Sequence, residues 1–468
     1  MITLTCHGAA TEVTGSRHLL TVNDQRVLLD CGMHQGRDLA KRLKRDSLPF
    51  KARQLDAVVL SHAHLDHSGA LPRLLRRGYR GPIYCTGATL NLLAVLLKDA
   101  CNLYLKDLER DNLVRKRRGQ KTQNPVYDME DVLAVLEACQ VVPYNLATAI
   151  GPGITLTLLD AGHILGAAMV HLALDDGQGA PLRLLFSGDI GNADSPLMRD
   201  PAPRPEVDWV MMESTYGNRN HRSYPATLAE LETVLEAARG GVVLVPAFAV
   251  GRTQEVLFQL GCFYHQGKLT GWHVVLDSPM AIEVTQIYDQ WLELMDPEDL
   301  AMLSREGSAT LEAFLPCLHL TQNTDESMGL NRINQGLIII AGSGMCNGGR
   351  ILHHLKHRIW DDRTHLLFTG FQARGTLGRQ LVEGEKRVKL FGQPYAVRAQ
   401  VHTLGGFSAH ADQRQLLAWL ADFPGPRPKV LLVHGEEGAQ LALKATIEAQ
   451  LGHQVAIPEP GQTRVLRS

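Results

Sequence analysis

Short apolar runs separated by Gly and Asp turns open the chain. Ile2–Cys6, Arg17–Val22 and Arg26–Asp30 read as β-strands joined by tight loops, an antiparallel opening. Asp56–Leu60 (DAVVL) is a buried strand, and it runs straight into a cluster of histidines. Ser68–Arg77 and Leu90–Val114 carry helical periodicity, and the second leads into the basic run Arg115-Lys116-Arg117-Arg118. Strands return at Ile154–Asp160, Ala168–Leu174 and Pro181–Phe186, with Asp175–Gly179 as a hairpin turn.

The pattern changes after about residue 215. Thr227–Arg239 places Leu228, Leu231 and Leu235 on one helical face and stops at Gly240-Gly241. Val242–Val245 is a short buried strand, and Thr253 opens another helix. Val274–Leu276, Leu337–Ile340 and Leu366–Thr369 repeat a brief apolar strand followed by a Gly/Ser loop. That alternation predicts a parallel sheet with helices on its faces, a separate α/β domain. Near Lys429–Val433 the earlier pattern resumes, a strand running into a histidine. The middle domain therefore reads as inserted, with 216–397 interrupting a domain made of 1–215 and 398–468.

Composition narrows the class. The chain has 468 residues with 45% hydrophobic and 21% charged positions, which excludes disordered, collagen-like and coiled-coil proteins. No apolar run approaches the ~18 residues a membrane span needs, and Met1–Gly8 lacks a signal-peptide layout, so a cytoplasmic protein without membrane contact is expected. Eight cysteines without C-x-x-C spacing fit a reduced chain. Residues 1–125 hold 21 Lys and Arg against 11 Asp and Glu, a basic end hidden in a net charge of −2. Such an end suits an acidic partner, and solvated helix faces account equally well for any single run.

The chain also has 20 histidines, and the sharpest signal is His62-Ala63-His64-Leu65-Asp66-His67. Three imidazoles and a carboxylate within six residues are donors suited to Zn²⁺. On a regular helix they would point to several faces, so a loop leaving a strand is required. His163, Asp189 and His434 stand at the ends of later apolar strands. Singly each is more often a core or surface residue; together they complete a two-metal site, with an aspartate placed to bridge both ions.

With these motifs the sequence resembles the metallo-β-lactamase superfamily (H-x-H-x-D-H) and, within it, the β-CASP nucleases. The branch is carried by Glu213-Ser214-Thr215-Tyr216-Gly217, Pro246–Arg252 (PAFAVGR), Phe407-Ser408-Ala409-His410 and His434-Gly435-Glu436. The 245 residues from Asp189 to His434 leave room for an inserted domain. The resemblance implies an α/β fold, the αββα sandwich with an inserted parallel-sheet β-CASP domain. It also implies two Zn²⁺ per chain: His62, His64 and His163 on one, Asp66, His67 and His434 on the other, and Asp189 bridging. Asp30 matches an aspartate that orients ligands, although a strand-end Asp also caps turns. The implied reaction is hydrolysis of RNA phosphodiesters, internally or from the 5′ end, by a metal-bridged hydroxide. Asp66, Asp189, His410 and Glu213 are its catalytic set, with His410 the general acid positioned by Glu213. Single-stranded RNA is the implied partner, and a homodimer is among the assemblies admitted.

Two Gly-rich turns that follow strands, Gly342–Arg350 and Arg374–Arg379, are candidate phosphate cradles. They supply Ser343, Gly344, Arg350, Arg374 and Thr376, and Arg252 is a further guess; such turns are also common without a ligand. RNA over DNA rests on His434, which the DNA-processing branch typically replaces. The alternatives are a small-molecule hydrolase of thioesters or lactones, which needs neither the insert nor His410, and a noncatalytic RNA-binding subunit. Flavodiiron relatives carry a carboxylate where His64 stands.

Overall fold

The computed structural model describes residues 1–34, 48–193, 195–370, 372–373 and 375–468. They form two compact units. The first joins Met1–Ala193, Asp200–Asn220 and His410–Ser468, and the second is built on His221–Ala409.

Two seven-stranded sheets make the first unit. Ile2–Gly8, Arg17–Val22 and Gln25–Leu29 pair antiparallel, and Ala57–Val59, Ile83–Cys85 and Cys139–Val141 then continue in parallel. The second sheet repeats the plan. Ile154–Asp160, Ala168–Leu174 and Leu182–Phe186 are antiparallel, then Trp209–Met212, Lys429–Leu432 and Val455–Ala456 run parallel. The alternation of Ile2–Gly8 explains its place: Ile2, Leu4 and Cys6 point inward, while Thr3, Thr5 and His7 stay half-exposed. Inward side chains of both sheets, Leu4, Leu20 and Val59 with Leu156, Leu172 and Met211, share one apolar core. The Ala57–Val59 strand is buried throughout because parallel neighbours flank it on both sides.

The helix Gly87–Arg117 starts at Thr86, whose hydroxyl accepts the Thr89 N–H, and it buries Leu93, Leu96, Leu97 and Tyr104. Among the described residues it is the one helix long and apolar enough to cross a bilayer, and over half of its most apolar stretch is buried within the unit. None of the eight cysteines is joined in a disulfide.

The second unit carries a six-stranded, all-parallel sheet whose four central strands are His273–Leu276, Leu337–Ala341, Val242–Pro246 and Thr364–Phe368. Successive residues face opposite sides: Val243, Val245 and Ile338 enter one apolar cluster, and Val242, Leu244 and Ile339 the other. Helices cover both faces, as the strand–loop–helix alternation predicts. Gln400–Thr403 adds a parallel edge strand beside Thr364–Phe368, so the return to the first unit falls at His410 and not at residue 398. Its polar sequence (QVHT) hides that strand from any apolar pattern.

Ile339 lies fully buried in a central strand. Ile339→Ala should destabilise the chain by about 2–5 kcal/mol. Urea unfolding measures this, and a loss under about 1 kcal/mol would show that the sheet is not packed as described.

Candidate metal centre

Six candidate side chains leave the C-terminal ends of neighbouring strands. Asp30 and His62 follow Gln25–Leu29 and Ala57–Val59; His163, Asp189, Glu213 and His434 follow four strands of the other sheet. Parallel strands bring their C-terminal ends to one edge, so residues far apart in sequence converge. Asp30 and His434 turn the chain at φ of 59° and 50°, and Gly162 and Gly188 do the same just before His163 and Asp189. Gly32 permits a close approach: a Cβ there would stand 1.5 Å from the Asp66 carbonyl oxygen.

The expectation of a loop at His62–His67 holds up to His64. From Leu65 to Ser68 the chain makes one helical turn, and the His67 ring comes to stand beside that of His62, 4.1 Å centroid to centroid. Two donor groups result, His62, His64, His163 and Asp189 in one, and Asp66, His67 and His434 in the other. In the first, His64 Nδ1 lies 3.0 Å from His62 Nε2 and 3.3 Å from His163 Nε2, while Asp189 Oδ2 is 3.4 and 3.5 Å from the same two Nε2 atoms. In the second, His434 Nε2 is 3.1 Å from His67 Nε2 and 3.7 Å from Asp66 Oδ2. Asp189 Oδ1 reaches this second group, 3.3 Å from His67 Nε2.

These separations test the fit to a metal. Donors held at about 2.0–2.2 Å around a tetrahedral ion stand about 3.3–3.6 Å apart. The observed spacings, 3.0–3.7 Å, bracket that range. Asp189 Oδ1 is buried without a hydrogen-bond donor of its own, as expected of an oxygen reserved for a cation.

The ring orientations agree. Asp30, fully buried, accepts the Ser61 N–H at 2.8 Å and the Ser61 and Ser16 hydroxyls at 3.0 and 3.1 Å. Its Oδ2 also lies 2.6 Å from His67 Nδ1, which places the proton on Nδ1 and turns the Nε2 lone pair inward. Since the Ser61 hydroxyl donates to Asp30, it accepts from His62 Nδ1 at 3.0 Å. Thr215 Oγ1 donates to the His434 carbonyl and lies 3.2 Å from His434 Nδ1, fixing that ring the same way.

Electrostatics favour a cation. Burial lowers the pKa of His62 and His163 and takes His64 down to about 3, so these rings stay neutral. Burial acts the same way on His67, but Asp189 and Asp30 override it and raise its pKa well above the usual range, so this group draws positive charge to Nε2, a proton or a metal ion in its place. Burial opposes the charge of Asp189 too, yet His434, His67 and His62 keep it ionised well below the ordinary carboxylate range.

Beside the donor groups, His410 Nδ1 lies 3.1 Å from Glu213 Oε1. Glu213 is fully buried and accepts the Ile190 N–H at 2.7 Å and the Thr215 N–H at 3.3 Å. The His410 ring stands 4.6 Å from that of His163, centroid to centroid. Burial disfavours its charge, but Glu213 and then Asp189 outweigh it and raise its pKa to about 9.

The candidate phosphate residues belong to the second unit. Arg252 is buried and ion-paired with Glu255, an engagement that a strand–turn–helix motif does not reveal; it is not an open phosphate ligand. Arg350 donates to Asp277 at 2.5 Å and to Thr321 at 2.9 Å. The Ser343 hydroxyl closes its own turn by accepting the Asn347 and Gly348 N–H groups, and Gly344 packs against Phe248. Thr376 caps the short helix Leu377–Val382. The cradle geometry is therefore closed largely by internal partners. Arg374 lies outside the described residues. The reading of the motifs missed Ser61 and Thr215. Their signal was adjacency, Ser61 before His62 and Thr215 within the quoted ESTYG.

Fold and donor set together define a metallo-hydrolase built on paired sheets with an α/β insert. The metallo-β-lactamase superfamily matches residues 11–94, the Beta-Casp domain residues 253–381, and the Zn-dependent metallo-hydrolase RNA specificity domain residues 394–458. Ribonuclease TTHA0252 of Thermus thermophilus is 40% identical over 97% of this chain and 98% of its own length. Transcription termination factor FttA is 33% identical in Methanocaldococcus jannaschii, over 96% of this chain and 69% of the relative, and 34% in Pyrococcus abyssi, over 100% and 72%. A crystal structure of a protein of unknown function from Enterococcus faecalis V583 superposes with TM-score 0.53 at 13% identity over 99% of both chains, a likeness of fold. The chain belongs to the β-CASP family of the metallo-β-lactamase superfamily.

Asp30→Asn keeps the shape but removes the charge that orients His67. It should weaken metal binding by about 10–100-fold while leaving the fold intact. Competition with a chromogenic chelator reads the affinity, and an unchanged value would return Asp30 to a turn-capping role.

Proposed function

We propose that this chain is a zinc-dependent ribonuclease that hydrolyses phosphodiester bonds of single-stranded RNA with two ions per chain. His62, His64 and His163 would hold one ion, Asp66, His67 and His434 the other, and Asp189 would bridge them. When bound, such a pair supplies an acidified water and positive charge for the nonbridging phosphate oxygens. The protein's own part is to hold that pair and to move a proton.

The observation that carries this reading is His410 on Glu213. Attack on phosphorus pushes negative charge onto the departing ribose oxygen, which needs a proton to leave. Glu213 accepts the Nδ1 proton of His410, so Nε2 carries the other. A pKa of about 9 keeps the ring charged near neutral pH. Its side chain is 22% exposed, whereas Glu213 is sealed. A hydrolase of thioesters with a good leaving group has no need of such a donor. The relatives named ribonuclease and termination factor favour RNA as substrate.

His410→Ala should retain its metal and its RNA affinity yet lose about 10²–10⁴-fold in single-turnover RNA cleavage. Hydrolysis of a nitrophenyl phosphodiester should suffer far less, because nitrophenolate leaves unprotonated. Glu213→Gln should show a milder form of the same selectivity. Equal losses on both substrates, or loss of metal from His410→Ala, would remove the acid role.

A further inference from the structure

The second unit carries a surface that the metal chemistry does not use. Ile351–Arg358 is a helix, and His353, Lys356 and Trp360 recur along it and just beyond at the i, i+3, i+7 spacing of one helical face. All three are exposed, Trp360 to 54%. Beside this helix, Arg387–Leu390 and Gln393–Ala396 form a two-stranded hairpin. Val388 and Leu390 turn into the core cluster, so Arg387 and Lys389 face outward.

The hairpin turn is Phe391-Gly392, with φ of 49° and 81°. A two-residue turn of this kind prefers Asn-Gly, because both central residues need positive φ. A Phe there is conformationally costly, and its ring is 55% exposed, so core packing does not explain it. The ring stands 4.8 Å from that of His353, centroid to centroid. Residues 386–398 contain four Lys and Arg and no Asp or Glu, and the helix 351–358 contains no acidic residue either; of the flanking acids, Asp361 pairs with Arg363 and Glu383 with Arg379, while Asp362 and Glu385 border the surface.

Exposed rings set among cations are what a single-stranded polynucleotide requires: rings stack on bases, and Lys and Arg meet the phosphates. We infer that Phe391, His353 and Trp360, with Lys356, Arg387 and Lys389, form a docking platform for single-stranded RNA, separate from the metal centre. An apolar protein partner would not call for Lys356, Arg387 and Lys389 beside the rings, and an acidic polypeptide would not call for exposed rings. The inference rests on the ribonuclease reading for the identity of the polynucleotide.

Equilibrium binding of a labelled 20-nucleotide single-stranded RNA tests it, measured on the full, metal-loaded chain in the slowly cleaving His410→Ala background. Phe391→Asn with Trp360→Ala, of which Asn suits positive φ, should weaken binding on the order of 10-fold. Lys356→Gln with Lys389→Gln should flatten the salt dependence by about 0.7 log unit for each phosphate that the variant no longer neutralises. Neither pair, placed in the otherwise wild-type chain, should alter hydrolysis of a nitrophenyl phosphodiester. Unchanged affinity and unchanged salt slope would overturn the platform, as would equal losses on the small diester. So would equally tight, variant-sensitive binding of polyglutamate. A wild-type chain that binds RNA through this surface but cleaves none would sink the ribonuclease reading alone. RNA cleavage unaffected by both pairs, with unaltered binding, would sink the platform alone.

Discussion

The arrangement of the first unit depends on one carboxylate. Asp189 is buried, and its two oxygens are divided between two groups of imidazoles. Imidazole nitrogens 3.0–3.3 Å apart would repel with both lone pairs turned inward, and a buried carboxylate is costly without a counter-charge. A cation in each group would relieve both problems at once. The surrounding contacts then make sense as aiming devices. Asp30 and Ser61 each occupy the outward nitrogen of a ring, on His67 and His62, and Thr215 holds the His434 ring through its Nδ1.

Such aiming requires rigid support, and the two sheets provide it. Asp30 and His434 sit in the left-handed backbone region, which disfavours most side chains. That strain is tolerated because each lies one or two residues beyond a strand locked in the core, Gln25–Leu29 and Lys429–Leu432. The packing of Leu4, Leu172 and Met211 is therefore part of the metal centre in an energetic sense. A softer core would let these turns relax and the ring nitrogens drift from metal-like spacing.

What the sequence showed, and what it hid, follows from how local each feature is. Period-two alternation and all-apolar runs located the strands ending at Asp30, Asp160 and Phe186 because burial imposes those patterns directly. The donors were legible as a set: singly His163, Asp189 and His434 say little, but beside His62, His64, Asp66 and His67 they complete two donor groups. Thr463–Arg467 was not legible: it pairs with Ile2–Gly8 from the far end of the chain, a pairing with no local signature. Trp209–Met212, all but its first residue buried, is only four residues long and too short for periodicity to declare. Arg252 misled because a motif shows neighbours in sequence, whereas its partner Glu255 depends on where the guanidinium points. The helical turn at Leu65 escaped for a related reason, since four residues carry no period.

The Glu213–His410 pair also explains how chemistry survives a large insertion. The two residues are 197 apart in sequence, yet they meet within the first unit. Gly191 bridges to His410 and Tyr216 to Asp412, while the Gln413 side chain donates to the Gly217 carbonyl at 2.7 Å. The outgoing and returning chains are thus tied together before the inserted unit begins. Closing a long excursion costs only slowly more as it lengthens, so the tie is tolerated whatever lies between. The position of His410, the proposed proton donor, is consequently set by the two-sheet unit and not by the inserted sheet. That separation leaves the insert's exposed faces, including the hairpin at Phe391, free to vary while the Glu213–His410 pair stays fixed.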